Sequence, residues 1–247
     1  MKLTVAGSGD AFGSGGRLNT CFFLETAKAA LLVDCGASAL PALKKQGIEP
    51  NRIDAIILSH LHGDHFGGLP FLLLDGQFLS RREKPLLIAG PPGTRARIDA
   101  ALEVFFPKST GSKWRFPWTV EEVPVGVESD VLGHSLITAE VIHQSGAPST
   151  ALRLSDGEKV FAYSGDTEWT DALLPIASRA DLFICECYAY AGKLTGHMSW
   201  DILKAKLSEL NAKQTMLTHM NPSVLARLEE IEAAGVLIAA DGLVMEF

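Results

Sequence analysis

The chain of 247 residues is 47% hydrophobic and 21% charged, which predicts a substantial core and excludes wholesale disorder. Its net charge of −7 disfavours long nucleic acid as a partner, because such partners select a basic surface. No apolar run reaches the length of a membrane span, so we expect no membrane contact. A small anionic substrate remains compatible with this charge, since bound cations can set the local field.

The four cysteines all lie in apolar runs typical of strands, and none forms a Cys-x-x-Cys pair. Thiols in such runs are usually buried and reduced. The first apolar run, residues 3–6, has the length of a strand and is too short for a signal segment. We therefore expect a cytoplasmic protein with free thiols.

Apolar runs of strand length recur along the first half of the chain. They predict strands at 3–6, 21–24, 30–33, 54–58 and 86–89. The intervening segments predict helices at 38–46 and 94–105 and a helix-like run at 66–79. Residues 7–17 form a glycine-rich loop that lacks the order of a phosphate-binding loop, so nucleotide binding there is a weak interpretation. The alternative is a flexible turn near the mouth of a site.

Three imidazoles and one carboxylate occupy residues 60–65, directly after a predicted strand. These side chains are common ligands of zinc and similar ions. His60 and His62 are two residues apart, so both can reach one ion from an extended turn. Asp64 and His65 are adjacent and can face a second ion. A solvated loop in which Asp64 caps a helix is the alternative, but three of the seven histidines would then meet by accident.

In the second half of the chain, one arrangement recurs, in which a strand-like run ends at a potential metal ligand. The runs at 137–142, 159–165 and 214–218 end at His143, Asp166 and His219. Strands that converge on one rim can build a site from distant sequence. Alternating strands and helices predict an α/β fold, an αββα sandwich of two mixed β-sheets flanked by helices. No linker is apparent, so a single domain over residues 1–247 is expected.

The order His-x-His-x-Asp-His at 60–65 resembles the signature of the metallo-β-lactamase-fold hydrolases, and the resemblance covers nearly the whole chain. It implies two divalent ions, zinc first, with manganese or iron as alternatives. One ion would take His60, His62 and His143. The other would take Asp64, His65 and His219, with Asp166 bridging both. Asp34, at a predicted strand end, would support a ligating histidine from behind, or would be a plain turn residue.

Glu186 and His197 are similar to a pair in ribonuclease Z and the cyclic-phosphate phosphodiesterases. The resemblance implies that Glu186 orients His197, which protonates the leaving oxygen or binds the phosphoryl group. Together with Asp64, these two are the expected catalytic residues. Met198 departs from the Gly-His-Ser/Thr order of the family. The alternative for His197 is a residue at a helix start, with capping through Ser199.

The resemblance implies a dinuclear metal-dependent hydrolase, with a metal-bridging hydroxide as nucleophile, acting on small phosphodiesters or cyclic phosphates. Ribonuclease Z carries a long arm for transfer RNA between the segments that match His143 and Asp166. Only 22 residues separate the two here, so RNA processing is not the first expectation. The alternatives are hydrolysis of an ester, thioester or lactone on the same metal pair, and a non-catalytic metal-binding module.

Residues 106–118 are rich in basic and aromatic residues and show no regular hydrophobic period. They are either an ordinary surface connection or a mobile arm that covers substrate or grips a second subunit in a homodimer. His134 matches no motif and is expected in a solvated loop.

Overall fold

Two seven-stranded β-sheets form the centre of the protein. The computed structural model describes residues 1–247. The first sheet contains β1 (Lys2–Gly7), β2 (Cys21–Glu25), β3 (Ala30–Val33), β4 (Ala55–Ile57), β5 (Leu86–Gly90), β6 (Trp118–Glu122) and β14 (Val244–Glu246). The second sheet contains β7 (Ser129–Val131), β8 (His134–Glu140), β9 (Thr150–Ser155), β10 (Val160–Tyr163), β11 (Leu182–Glu186), β12 (Thr215–Thr218) and β13 (Leu237–Ile238).

Both sheets mix parallel and antiparallel pairs, which confirms the predicted αββα sandwich. The spatial order is β14-β1-β2-β3-β4-β5-β6 in the first sheet and β13-β12-β11-β10-β9-β8-β7 in the second. The strands from β3 to β6 and from β10 to β13 run parallel. Parallel neighbours end at the same edge of a sheet, and ligands of α/β proteins bind outside that edge. This topology brings the residues after β10, β11 and β12 together.

Eight α-helices connect the strands. They are α1 (Ala39–Lys45), α2 (Gly63–Phe66), α3 (Leu69–Leu74), α4 (Thr94–Phe105), α5 (Leu173–Ala177), α6 (Trp200–Leu210), α7 (Pro222–Leu225) and α8 (Leu228–Glu232). α1 and α4 confirm the helices predicted at 38–46 and 94–105. None of the eight combines the length and the apolar character that a membrane crossing requires.

The helix-like run at 66–79 is divided into the end of α2, then α3, then a π-helical turn, Asp75–Leu79. Gly68 lies in the break between α2 and α3. A Cβ atom at Gly68 would lie 2.3 Å from the carbonyl oxygen of Gly36. The backbone can approach this closely only at glycine. The amide of Gly68 donates to the carbonyl oxygen of Cys35 at 2.9 Å, outside the run, so the helical hydrogen bonds are interrupted there.

Strand residues pack alternately into two different cores, as the two-residue period of a strand requires. Phe22 and Leu24 of β2 pack between the sheets, in the same core as Ile184 of β11. Phe23 faces the opposite way and packs in a second core with Leu43 of α1. A third core lies between the second sheet and its helices α5 and α6. Both sheets are thus buried on both faces.

The aromatic residues of segment 106–118 pack on their own subunit. Phe116 is fully buried, and the guanidinium of Arg82 lies 5.6 Å from the centre of its ring. Trp114 lies against Phe116 and Trp118, at 6.1 and 5.7 Å between ring centres. These contacts support the interpretation of the segment as a connection and not as an arm over the substrate.

The expectation that His134 is solvated is wrong. His134 begins β8 and is fully buried. Its Nδ1 lies 3.0 Å from the carbonyl oxygen of Val131, and its Nε2 lies 2.9 Å from Oγ1 of Thr26. The left-handed residues Leu132 and Gly133 form the tight turn between β7 and β8 that directs the ring inward. No sequence motif announces this structural role.

Candidate metal centre

Six of the seven histidines meet at one edge of the sandwich, together with two aspartates. They are delivered by chain segments that follow β4, β8, β10, β11 and β12. Four of them, His60, His62, Asp64 and His65, lie in the loop after β4 and in the short helix α2, which begins at Gly63. The structure therefore brings together all seven residues that the sequence predicted as ligands: His60, His62, Asp64, His65, His143, Asp166 and His219.

The candidate ligands form two groups. In each group, the candidate ligand atoms lie within 4.8 Å of one another, and the groups are His60, His62 and His143, and Asp64, His65, Asp166 and His219. Asp166 lies between them. Its Oδ2 is 3.3 Å from Nε2 of both His65 and His219 and 3.9 Å from Nε2 of both His60 and His143. One carboxylate therefore faces histidines of both groups.

Several buried atoms of this centre have no hydrogen-bond partner. They include Nε2 of His60, Nε2 of His65 and Oδ1 of Asp166. Buried polar atoms in folded proteins are almost always paired, because an unpaired one costs free energy. Divalent cations would satisfy these atoms, and nitrogen and carboxylate oxygen are the donors that zinc prefers. The donor set therefore fits divalent metal ions.

Charges within the centre set the protonation of its members. Burial and the neighbouring His65 lower the pKa of His60 well below its usual value, so its imidazole is neutral, the form that binds metal. Burial also acts to lower the pKa of His65, but Asp166, Asp64 and Asp34 outweigh it and raise that pKa well above its usual value. Burial acts to raise the pKa of Asp166, yet the adjacent histidines lower it well below, so this carboxylate stays ionised.

Asp34 lies behind His65, at the place that the resemblance implies for a supporting residue. Nδ1 of His65 donates to Oδ2 of Asp34 at 2.7 Å, and both side chains are fully buried. The backbone amide and the hydroxyl of Ser59 also donate to this carboxylate, at 2.8 and 2.7 Å. Such contacts fix the tautomer of a histidine and leave its Nε2 as the ligand atom.

A second support, which sequence reasoning missed, holds His143. Nδ1 of His143 donates to the carbonyl oxygen of Gly196 at 2.7 Å, and the amide of Gly196 donates to Oε1 of Glu168 at 3.0 Å. Gly196 has a φ of 78°, and a Cβ atom there would lie 3.0 Å from Nδ1 of His143. Glycine is thus required at this approach. The only signal for Glu168 in the sequence is its position two residues after Asp166.

His219 depends on residues from both ends of the chain, which the sequence did not reveal. Its backbone is left-handed, with a φ of 58°. Its amide donates to the carbonyl oxygen of Ser8 at 3.1 Å. Asp241 in turn accepts from the amide and the hydroxyl of Ser8, at 2.9 and 2.8 Å. This chain of contacts stabilises an uncommon backbone conformation at a candidate ligand.

Glu186 and His197 form a pair beside the two groups. Nδ1 of His197 lies 3.2 Å from both carboxylate oxygens of the fully buried Glu186. Burial acts to lower the pKa of His197, but the hydrogen bond and charge of Glu186 raise it to about 9. Burial and the charge of Asp166 raise the pKa of Glu186 to about 8. Near neutral pH the pair therefore holds a proton close to the ligand groups.

A cavity of about 360 Å³ opens over the centre. Besides five of the candidate ligands, its walls include His197 and four residues that belong to no ligand group: Ala11, Phe12, Gly63 and Tyr188. A volume of this size accommodates a small molecule.

Comparison with known proteins identifies the family. The model of the family described as "Anti-Pycsar protein Apyc1" matches residues 1–239. The chain belongs to this Apyc1 family. It is 30% identical over 232 residues to the Probable metallo-hydrolase YhfI of Bacillus subtilis (strain 168), covering 89% of this chain and 87% of that protein. Over 126 residues it is 37% identical to the ribonuclease Z of Geobacillus kaustophilus (strain HTA426), covering 51% of this chain and 38% of that enzyme.

Solved structures agree with this assignment. The crystal structure of the metallo-β-lactamase-fold protein YhfI has a TM-score of 0.80 at 25% identity and covers 99% of both chains. Human tRNase Z, short form (ELAC1), has a TM-score of 0.79 at 25% identity and covers 100% of this chain and 99% of that one. This Apyc1-family chain is therefore a metal-dependent hydrolase of the metallo-β-lactamase fold, on the ribonuclease Z-like branch.

Proposed function

We propose that the protein is a dinuclear phosphodiesterase that cleaves small phosphodiesters or cyclic phosphates. The observation that carries this proposal is the Glu186–His197 pair beside two ligand groups whose histidines both lie near Asp166. Cleavage of a phosphodiester requires charge stabilisation at the phosphoryl group and a proton for the leaving oxygen. The two ligand groups and the pair are suited to these two tasks.

Two divalent ions, zinc first, would be held by the two ligand groups, with Asp166 between them. When bound, such ions lower the pKa of a water towards 7 and polarise a phosphoryl oxygen. Asp34 keeps His65 in the tautomer that leaves Nε2 as the ligand atom, and Gly196 does the same for His143. The charge of two divalent ions exceeds that of Asp64 and Asp166, which favours an anionic substrate.

The pair of Glu186 and His197 would supply the proton for the leaving oxygen. Because Nδ1 of His197 is bonded to Glu186, Nε2 is the nitrogen that remains available to the substrate. The raised pKa keeps this imidazole protonated at neutral pH, as a general acid requires. His197 is not one of the proposed metal ligands, so its loss would leave the ions in place.

The size of the cavity and the short segment between His143 and Asp166 support a small substrate. The cavity of about 360 Å³ suits a molecule of the size of a cyclic nucleotide. Between His143 and Asp166, the chain forms only β9, β10 and their short connections, without an inserted arm. Relatives that are named ribonuclease Z cleave RNA, whose links are phosphodiesters, and this supports phosphodiester over acyl chemistry.

Elemental analysis combined with a substrate panel tests the proposal. The purified protein should contain about two equivalents of zinc, and manganese or iron should substitute. It should cleave bis-p-nitrophenyl phosphate and a cyclic nucleotide, lose this activity with a chelator and regain it with zinc. Cleavage of a lactone or thioester without any phosphodiester would replace the proposal with acyl hydrolysis. A folded protein that takes up no metal would remove it altogether.

A further inference from the structure

We propose that Phe12 and Tyr188 form a subsite that binds a planar aromatic ring of the substrate. The inference rests on the proposed function, because it concerns the organic part of the phosphodiester. Both side chains line the cavity over the candidate metal centre, and neither belongs to a ligand group. They would select substrates by stacking on the aromatic ring in the organic part of the phosphodiester.

The exposure of Phe12 is the first observation. Its side chain is 80% exposed, although a phenyl ring gains free energy when it leaves water. Phe12 lies at the mouth of the cavity, where a bound molecule would cover it. An exposed aromatic ring beside convergent polar groups is typical of a ligand contact.

The loop that carries Phe12 is held in place by a buried carboxylate. Asp10 is fully buried, and its Oδ1 accepts from the amides of Phe12 and Ser14 at 3.1 and 2.9 Å. Its Oδ2 accepts from the hydroxyl of Ser14 at 2.6 Å. The side chain of Asn19 donates to the Asp10 carbonyl at 3.0 Å. The ring of Phe12 is therefore presented by a preorganised turn, which lowers the entropy cost of binding.

Tyr188 provides the second ring, close to the reacting end of the cavity. Its ring centre lies 4.8 Å from that of His197, with 30° between the two planes. Its backbone is fixed on both sides, because its amide donates to Met198 at 3.0 Å and its carbonyl accepts from Asn221 at 2.9 Å. A substrate whose phosphoryl group lies at the ligands would extend its organic part past this ring towards Phe12.

The rest of the cavity offers little else for recognition of that organic part. Its lining contains no lysine, arginine, asparagine, glutamine, serine or threonine. Apart from the tyrosine hydroxyl, every polar side chain in the lining belongs to the candidate ligands or to His197. Recognition of the organic part therefore depends on the two aromatic faces, since stacking needs only a π-face on the ligand.

The test compares two substrates that share one reacting group. Adenosine 3′,5′-cyclic phosphate carries the aromatic adenine ring, whereas the 3′,5′-cyclic phosphate of methyl riboside carries a methyl group in its place. In the zinc-loaded parent protein, the ring should lower KM about tenfold. Phe12→Ala should reduce this ratio towards one with little change in kcat, because stacking acts equally on ground and transition states. Tyr188→Leu should do the same.

Two variants serve as controls. Phe12→Tyr keeps a ring at the mouth and should retain the tenfold ratio. Phe78→Ala removes a ring that is 70% exposed outside the cavity and should change neither KM. Calorimetric binding of adenosine monophosphate and of methyl riboside phosphate, which needs no turnover, should give the same order of affinities.

Three results would overturn the inference. The first is an equal loss of both substrates in Phe12→Ala, which would assign a purely structural role to the loop. The second is a fall in molecular mass of that variant in sedimentation, which would assign Phe12 to a contact with a second copy. The third is equal calorimetric affinity of the parent protein for adenosine monophosphate and for methyl riboside phosphate. If neither cyclic phosphate is cleaved but the ring still strengthens binding, the proposed function fails and the subsite stands.

Discussion

Asp166 is the one carboxylate that approaches histidines of both ligand groups, and each of its four distances to an Nε2 atom is below 4 Å. Its side chain is almost completely buried. The adjacent histidines keep its pKa well below the usual value. A charge in this position can balance two cations at once, so its removal should affect both.

Replacement of Asp166 by alanine tests this role. Asp166→Ala should lose at least one of two metal equivalents and more than about 100-fold in activity, because a ligand matters more than the contacts that orient it. Asp166→Asn keeps the shape and removes the charge, so its loss should be smaller. Elemental analysis and turnover give the readouts, with exposed Asp171→Ala as the control that keeps both metal and activity. Full metal and full turnover in Asp166→Ala would reduce Asp166 to a turn residue.

His197 can be tested through the leaving group of the substrate. An alkoxide needs a proton as it leaves, whereas p-nitrophenolate is stable as an anion. His197→Ala should therefore lower turnover of an alkyl phosphodiester by ~10²–10⁴-fold and that of a p-nitrophenyl diester far less. Metal content should stay unchanged, because His197 is not a proposed ligand. Equal losses with both substrates would assign His197 to binding of the phosphate.

At the scale of elements, the loop before α6 connects two parts of the site. Its residue Gly196 accepts from His143 and donates to Glu168, and the next residue is His197. The amide of Glu168 also donates to the carbonyl of Ile142, beside His143, at 3.1 Å. Glu168 thus ties the segment after β10 to the segment after β8 and to this loop. One side chain positions a candidate ligand and the proposed acid together.

Glu168→Ala should weaken metal binding by about 10- to 100-fold, since it frees the carbonyl that orients His143. Glu168→Gln keeps an oxygen that can accept from Gly196 and should retain most of the affinity. Competition with a chelating dye measures both. Lys193→Ala is the matched control, because Lys193 is 82% exposed and 3.8 Å from Glu168, and such a surface pair contributes little. Equal weakening in the alanine and glutamine variants would point to the charge instead of the hydrogen bond.

At the scale of the whole molecule, stability depends on contacts that join the strands far from the metal centre. Asp181 precedes β11 and accepts from Nζ of Lys213 at 2.8 Å, from the amide of Val160 at 2.9 Å and from Nζ of Lys159 at 3.2 Å. Burial acts to raise the pKa of Asp181, but these three contacts lower it to about 2. The ionised carboxylate therefore stabilises the junction of β10 and β11.

Asp181→Asn should lower the free energy of unfolding by about 1–2 kcal/mol at pH 7, after allowance for the exposure of the lysines. The folded pKa lies below the unfolded value of about 3.9, so the stabilisation is present above pH 4 and is lost as the pH falls towards 2. Urea unfolding of parent and variant at pH 7 and pH 3 measures the difference. Asp99→Asn, in an exposed pair with Arg95, should cost less than about 0.5 kcal/mol. A difference that does not shrink at pH 3 would contradict this account.

Much of the fold followed from local patterns in the sequence. Hydrophobic patterns predicted the strands β2 and β3, the helices α1 and α4, and the mixed αββα sandwich. Such patterns report the local environment of each residue, because strand and helix faces alternate over a few positions. The order of residues 60–65 and the residues at later strand ends likewise indicated the ligand set. For these features, neighbouring residues carry enough information.

Only the tertiary structure decided which distant residues support the site. Ser8 and Asp241 are 233 positions apart, yet their hydrogen bond holds the backbone that orients His219. Glu168 meets Gly196, Phe12 reaches the cavity mouth and His134 is buried, although no local pattern distinguishes any of them from surface residues. The contacts at the site exist because strands from both halves end at one edge, whereas His134 is buried where the start of β8 meets Thr26 after β2. Hydrogen bonds and burial depend on this packing, and a linear period of two or 3.6 residues cannot encode it.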